Sequence, residues 1–111
     1  ERGYAGKWLP HEPSIRVPLL IFDPRPAGAM AAGLRDEMVL NIDLAPTFLD
    51  LAGVPAPAHY QGRSLLPLWR GETPMPWRDH IFIENLMEHD RIRKHEGVRT
   101  TRFEYTRYFE A

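Results

Sequence analysis

Proline constrains this chain more than any other residue type. Eleven of its 111 residues are proline. Each fixes φ near −65° and removes a backbone donor. That density points to many loops and short elements. Gly3, Gly6, Pro10 and Pro13 keep the opening segment, Glu1 to Ser14, turn-rich and forbid a long helix there. Pro55 and Pro57 stop the element before them, and Pro67 limits its own helix to about a turn or two.

Between these breaks the apolar pattern predicts a mixed set of elements. Ile15 to Phe22 is an apolar run interrupted only by Arg16 and Pro18. It predicts a strand buried on both faces, as in a covered α/β sheet, with Pro18 near the strand start. Asp23-Pro24-Arg25-Pro26 closes it with a turn, and Ala27 to Gly33 is a small-residue loop. Asn41 to Gly53 reads as a helix. Asp43 is its expected N-cap, Pro46 falls in the first turn, and Leu44, Phe48, Leu49, Leu51 and Ala52 form its expected apolar face. Gly53 ends it. Ser64 to Trp69 reads as a short helix capped by Ser64 and stopped by Gly71. Asp79 to Leu86 contains the strand pattern His80-Ile81-Phe82-Ile83, followed by a charged connection over Met87 to His95. Gly97 to Phe109 alternates and reads as two strands joined near Thr101 to Glu104, or as one long strand.

Composition excludes several classes of function. A hydrophobic fraction of 43% suits an ordered globular chain with a modest core. The net charge of −1 gives no electrostatic reason to expect a nucleic-acid partner. No apolar run approaches the length of a membrane span. Cysteine is absent, which removes disulfides, thiolate metal sites and thiol nucleophiles from this chain. Twelve basic residues are arginine and only Lys7 and Lys94 are lysine. Most of the arginines are expected to serve ion pairs.

Lys7 stands out. It lies on a glycine-flanked turn, Gly3-Tyr4-Ala5-Gly6-Lys7-Trp8, ahead of Arg16 and the apolar run. A cation so placed suits an anionic group at a sheet edge. Glu12 and Arg16 lie four apart and are expected to pair. His59, Tyr60 and Gln61 form a polar loop that reads as ordinary exposed surface. His89, Asp90, His95 and Glu96 match no metal-ligand spacing and read as a charged loop. Arg91, Arg93 and Lys94 read as a solvated basic face.

Four segments in order resemble the sulfatase family, of the arylsulfatase-like, alkaline-phosphatase-like superfamily. Gly6-Lys7-Trp8 with Arg16-Val17-Pro18-Leu19 is similar to the family's lysine turn and following strand. Asp43-Leu44-Ala45-Pro46-Thr47 through Gly53 resembles its Asp-x-x-Pro-Thr helix. Gln61-Gly62-Arg63-Ser64-Leu65-Leu66-Pro67 resembles its Gly-Arg-Ser-Leu-x-Pro segment, and Glu96-Gly97-Val98-Arg99-Thr100 with Phe103-Glu104-Tyr105 its C-terminal strand pair.

The resemblance implies an α/β fold, the C-terminal part of a sulfatase-like fold with a small antiparallel β subdomain. Residues 1–75 would belong to the α/β core and 76–111 would open the subdomain. With no initial methionine and no closing element, the chain is expected to begin inside a longer protein. The parent would hydrolyse sulfate esters, with carbohydrates a candidate substrate class. The alternatives are a phosphate or phosphonate ester hydrolase of the same superfamily, and a stand-alone non-catalytic binding or structural module. Lys7 would contact the substrate sulfate. His11, where the family often has an aromatic residue before the glutamate, would also border substrate. The family's calcium and its formylglycine nucleophile are expected in the parent only, since neither the Cys/Ser-x-Pro-x-Arg motif nor the calcium ligands occur here. The chain alone is expected to be inactive and to self-associate through uncovered apolar residues, with Phe22, Leu49 and Trp69 as candidates.

Overall fold

The computed structural model describes residues 8–24, 33–72 and 76–109. The chain forms two compact units: Phe22–Arg78, and Glu1–Ile21 together with Asp79–Ala111.

Among the described residues, helix α1, Glu12–Ile15, belongs to the second unit, and α2, Leu44–Leu51, and α3, Leu66–Trp69, belong to the first, where a 3-10 turn, Asn41–Asp43, runs directly into α2. Gly53 ends α2 at φ 68°. Its N–H donates to Asp50 O at 3.1 Å and that of Val54 to Leu49 O at 2.9 Å. Gly71 ends α3 in the same way, at φ 82°, with Gly71 N–H on Leu68 O and Glu72 N–H on Pro67 O. Both helices therefore stop on a left-handed glycine that satisfies their last carbonyls. Leu65, Leu66 and Leu68 form the buried apolar core among the described residues.

Asp43 organises this unit. Its side chain is wholly buried. Oδ1 accepts from the Arg63 N–H at 2.8 Å and from Arg78 Nη2 at 2.7 Å. Oδ2 accepts from the Leu40 N–H at 2.7 Å and from Arg78 Nη1. The expected N-cap role is thus corrected. Asp43 has helical φ/ψ (−77°, −16°) and makes no side-chain cap bond to α2; its carboxylate turns back and across instead. One turn on, buried Thr47 donates to Asp43 O at 2.5 Å and accepts from the Leu65 N–H at 2.9 Å. These bonds set which side of α2 faces inward. Pro46 and Thr47 are its buried residues, whereas Phe48 is 64% exposed and Leu51 also open. The leucine-rich face expected to be buried is therefore only half covered, at Leu44 and Leu49. Gly62 lies against the 3-10 turn so closely that a Cβ there would stand 2.0 Å from Ile42 O.

The second unit is a three-stranded antiparallel sheet, β1 (His80–Asn85), β2 (His95–Thr100) and β3 (Glu104–Tyr108), in that spatial order. The sequence pattern and the strands agree, and the alternating stretch resolves into two strands. Thr100 makes the turn between them. Its N–H donates to Phe103 O at 2.7 Å, and its Oγ1 accepts from the Phe103 N–H at 2.9 Å. Phe82 pairs with Val98 and Val98 with Tyr105, giving an exposed row across one face. On the other face lie Ile81, Ile83 and Asn85, buried His95 and Gly97, and half-buried Arg99. A Cβ at Gly97 would meet Tyr105 O at 2.5 Å, so glycine is required there by close approach.

The expected buried strand over Ile15–Phe22 is not formed. Ile15 ends the single turn of α1, and residues 16–24 belong to no helix or strand. Leu19, Leu20, Ile21 and Phe22 are exposed, Leu20 by 88%. An apolar run encodes a preference for burial, but a strand also needs a neighbour's backbone to pair with. No described strand of this chain pairs with it. Of the residues expected to be uncovered, Phe22 is open, while Leu49 and Trp69 are half-buried.

Asp43→Asn should lower unfolding stability by about 3–5 kcal/mol, because it leaves the Arg78 guanidinium, 9% exposed, without its anion. Urea unfolding measures this, and a loss under about 1 kcal/mol would remove the organising role given to the pair. The pH dependence has a defined sign. Burial raises the Asp43 pKa, but the Arg78 hydrogen bonds and the Arg63 and Leu40 N–H groups outweigh it and hold the carboxyl below its ordinary 3.8. A depressed folded-state value stabilises fully above the unfolded value and loses that effect as pH falls through the folded one. Wild-type stability should therefore drop on acidification below about pH 4, and this component of the drop should vanish in Asp43→Asn.

Candidate functional site

The segment that follows the lysine turn is placed by the sheet unit. Lys7 itself lies outside the described residues. Trp8 begins the described chain. Its carbonyl accepts from Asn85 Nδ2 at 3.4 Å, and its ring lies 5.8 Å from that of His89, centroid to centroid, tilted by 32°. Asn85 is the last residue of β1 and is paired with His95. Its Oδ1 accepts from the Met87 N–H at 3.2 Å. His89 Nδ1 accepts from the Arg91 N–H at 3.1 Å, which orients the ring.

His11 sits at the start of α1 in extended conformation (φ −74°, ψ 149°), half-buried. Its carbonyl accepts from the Ser14 and Ile15 N–H groups, at 2.7 and 3.2 Å, and so starts the helical turn. Pro13 stands in the first turn, where its missing donor costs nothing. Glu12 is the fastening residue of this turn. Its Oε1 accepts from Arg99 Nε at 2.7 Å, across 87 residues of sequence. The expected partner Arg16 is also within range, at 3.9 Å, but its side chain is 79% exposed. The Arg99 hydrogen bond is the main cause holding the Glu12 carboxyl below its ordinary range, and Glu12 in turn raises Arg99. The segment over 8–12 is thus tied to the sheet at both ends, at Trp8 and at Glu12.

The remaining candidates are each engaged locally. His95 is buried, donates from Nδ1 to Arg93 O at 3.0 Å, and its ring lies 5.4 Å from that of Tyr108, centroid to centroid, tilted by 51°. Glu96 pairs with Arg107, and Lys94 with Glu88 at 2.8 Å. Among the described residues no group of three or more His, Asp or Glu side chains is placed to hold a metal ion. His59 and Tyr60 are exposed, with rings edge to face at 5.1 Å. The expected cap role of Ser64 is not taken: Leu65 is the N-cap of α3 and makes no side-chain cap bond, while Ser64, one residue earlier, donates to Asp50 Oδ2 at 2.5 Å and accepts from the Leu66 N–H at 3.2 Å. Exposed Arg91 and Arg93 leave cationic groups on the β1–β2 connection. The same connection carries Glu88 and Asp90, so the two signs of charge are mixed along it.

Sequence reading missed Arg78, Trp77, Asn85 and Arg99. Trp77 Nε1 donates to Met38 O at 3.0 Å, and the Arg63 guanidinium lies 5.8 Å above its ring. Each of the four bonds a partner 35 or more residues away. No local periodicity reports such pairings.

The chain matches known sulfatases along its length. It is 36% identical to the N-acetylglucosamine-6-O-sulfatase of Bacteroides thetaiotaomicron over 98% of this chain and 20% of that protein. It is 47% identical to the extracellular sulfatase SULF-1 homolog of Drosophila melanogaster over 72% of this chain and 7% of that one. The chain therefore spans at most about a fifth of the length of these relatives. Among solved structures, a protein in complex with its substrate D-glucosamine-2-N,6-O-disulfate superposes with a TM-score of 0.53 at 36% identity, over 60% of this chain and 14% of that one. A 2-O GAG sulfatase does so with a TM-score of 0.53 at 38% identity, over 61% and 15%. The fold is thus the C-terminal part of a sulfatase-like fold, with its small antiparallel sheet. The family model described as N-sulphoglucosamine sulphohydrolase, C-terminal, matches residues 1–111, and the chain belongs to that sulfatase family.

Proposed function

We propose that this chain is the C-terminal part of a sulfuric ester hydrolase that cleaves sulfate esters of carbohydrates. The observation that carries the reading is the family match over all 111 residues. Two relatives support the carbohydrate class: one is named for N-acetylglucosamine 6-O-sulfate chemistry, and one was solved with a sulfated glucosamine. In such a parent, residues 1–75 would belong to the α/β core and 76–111 would open the antiparallel subdomain.

Hydrolysis of a sulfate ester builds negative charge on the leaving oxygen and the sulfo group. A preorganised cation beside that group lowers the barrier, because its attraction grows as the charge grows. Lys7 is given this role, and His11 a place at the border of the bound substrate. Calcium and the formylglycine nucleophile would come from residues other than those described here.

Open apolar residues at Leu20 and Phe22, 88% and 85% exposed, support self-association of the isolated chain. Sedimentation should find oligomers, and a compact monomer that binds no hydrophobic dye would favour a stand-alone module instead. The isolated chain should not hydrolyse an aryl sulfate. In the full-length protein Lys7→Ala should cost about 3 kcal/mol of transition-state stabilisation, roughly a hundredfold in rate. Lys94→Ala should leave the rate near normal, since Lys94 is paired with Glu88. Steady-state turnover of an activated aryl sulfate tests both, and a Lys7→Ala variant of normal activity would reduce the reading to one of scaffold alone.

A further inference from the structure

We propose that the open face of the sheet unit docks a second copy of this protein, across a two-fold axis that runs along β2. The strand register lays that face out in rows. Phe82, Val98 and Tyr105 stand side by side across the three strands. They are exposed by 60%, 38% and 69%. Two residues further along each strand, and so on the same face, Glu84 stands beside Glu96 and Glu96 beside Arg107.

The charged row is unbalanced within one chain. Glu84 and Glu96 are directly opposite on neighbouring strands, a placement in which like charges repel. Arg107 pairs with Glu96 from the far side. Among the described residues Glu84 has no ion-pair partner. The face therefore offers an apolar row for burial and, beside it, a carboxylate in need of a cation.

A second copy supplies both. An axis along the central strand reverses the order of the strands and keeps the rows in place, so β1 of one copy lies over β3 of the other. Phe82 then meets the second copy's Tyr105, and Val98 meets its own counterpart on the axis. Glu84 meets the second copy's Arg107, and the contact occurs twice. Arg107 can serve it while bound to Glu96, because its side chain remains 60% exposed and a guanidinium carries five donors. An axis at right angles to the strands reverses the rows instead; it sets Glu84 over His80 and brings Arg107 no carboxylate. The charges therefore select the first arrangement.

The contact is small. Three strands about 4.8 Å apart, five residues long at about 3.4 Å each, project roughly 250 Å2 per copy. A standard interface buries about 800 Å2 on each partner. The association is accordingly weak and depends on concentration. It is independent of the reaction proposed above.

The experiment uses the full-length protein, with the unsubstituted protein as the control for each reaction. Residues 1–111 contain no cysteine, so an introduced thiol marks one place on this face. Val98→Cys, on the axis, should be joined into a covalent dimer by a short bismaleimide that spans the ~10 Å between facing sheets. Glu84→Cys alone should give little dimer, whereas Glu84→Cys mixed with Arg107→Cys should give it. In sedimentation, Val98→Arg and Glu84→Arg should each raise the dimer dissociation constant by about tenfold or more, with urea midpoints near wild type. Glu84→Arg, at an exposed position, decides the matter should Val98→Arg fail to fold. A Val98→Cys thiol that reacts with a monofunctional maleimide yet yields no dimer would overturn the proposal, since the face is then bare. A thiol that reacts with neither reagent in a monomeric protein would also overturn it, because another segment of the same protein then covers the face. Dimers unchanged in Val98→Arg and Glu84→Arg would overturn it as well and would move the contact elsewhere, to the open apolar residues Leu20 and Phe22 among others.

Discussion

A single buried carboxylate holds the helical unit together. Asp43 takes four donors from three separate stretches of chain: the backbone ahead of it at Leu40, the segment after α2 at Arg63, and the side chain of Arg78. Desolvating an anion is costly, and the cost is offset only when its oxygens are fully engaged with good geometry. Here two backbone N–H groups and a two-pronged guanidinium meet that requirement. The arrangement also explains its neighbours. Thr47 extends the same link to Leu65, the entry to α3 and to the buried leucines. The Asp-x-x-Pro-Thr and Gly-Arg-Ser segments are therefore two halves of one joint.

The sheet unit is organised differently. Its register is set by β2, the central strand, and by a tight turn closed on Thr100. One face carries the open row Phe82, Val98 and Tyr105. The other carries Gly97, His95 and the Arg99 that reaches Glu12. The polar link from Arg99 to Glu12 gives α1, a single turn with no buried residue, a fixed place that its own length could not provide.

Features decided within a few residues were legible in the sequence. Gly53 and Gly71 as helix stops and the three strands follow from local pattern and turn chemistry, and each is present. What failed were inferences that needed a distant partner. Ile15–Phe22 has the composition of a strand without a neighbour to pair with among the described residues. Asp43 has the identity and position of a cap, yet Arg78, 35 residues later, draws its carboxylate elsewhere. The leucines of α2 follow a helical period, but the hydrogen bonds of Asp43 and Thr47 decide which side turns inward. The same limit applies to the candidate site. Lys7 stood out by its glycine-flanked turn but gained its sulfate role only through resemblance, and Asn85, 77 residues from Trp8, carried no signal at all.

At Gly62 a Cβ would stand 2.0 Å from Ile42 O, so any side chain would have to push the 3-10 turn away from the segment that feeds Arg63 into Asp43. A substitution at this glycine would therefore act on the amount of folded protein in the cell, because chaperones and proteases would remove much of it. A deficiency of that origin is one that a ligand binding only the folded form could partly correct, by mass action.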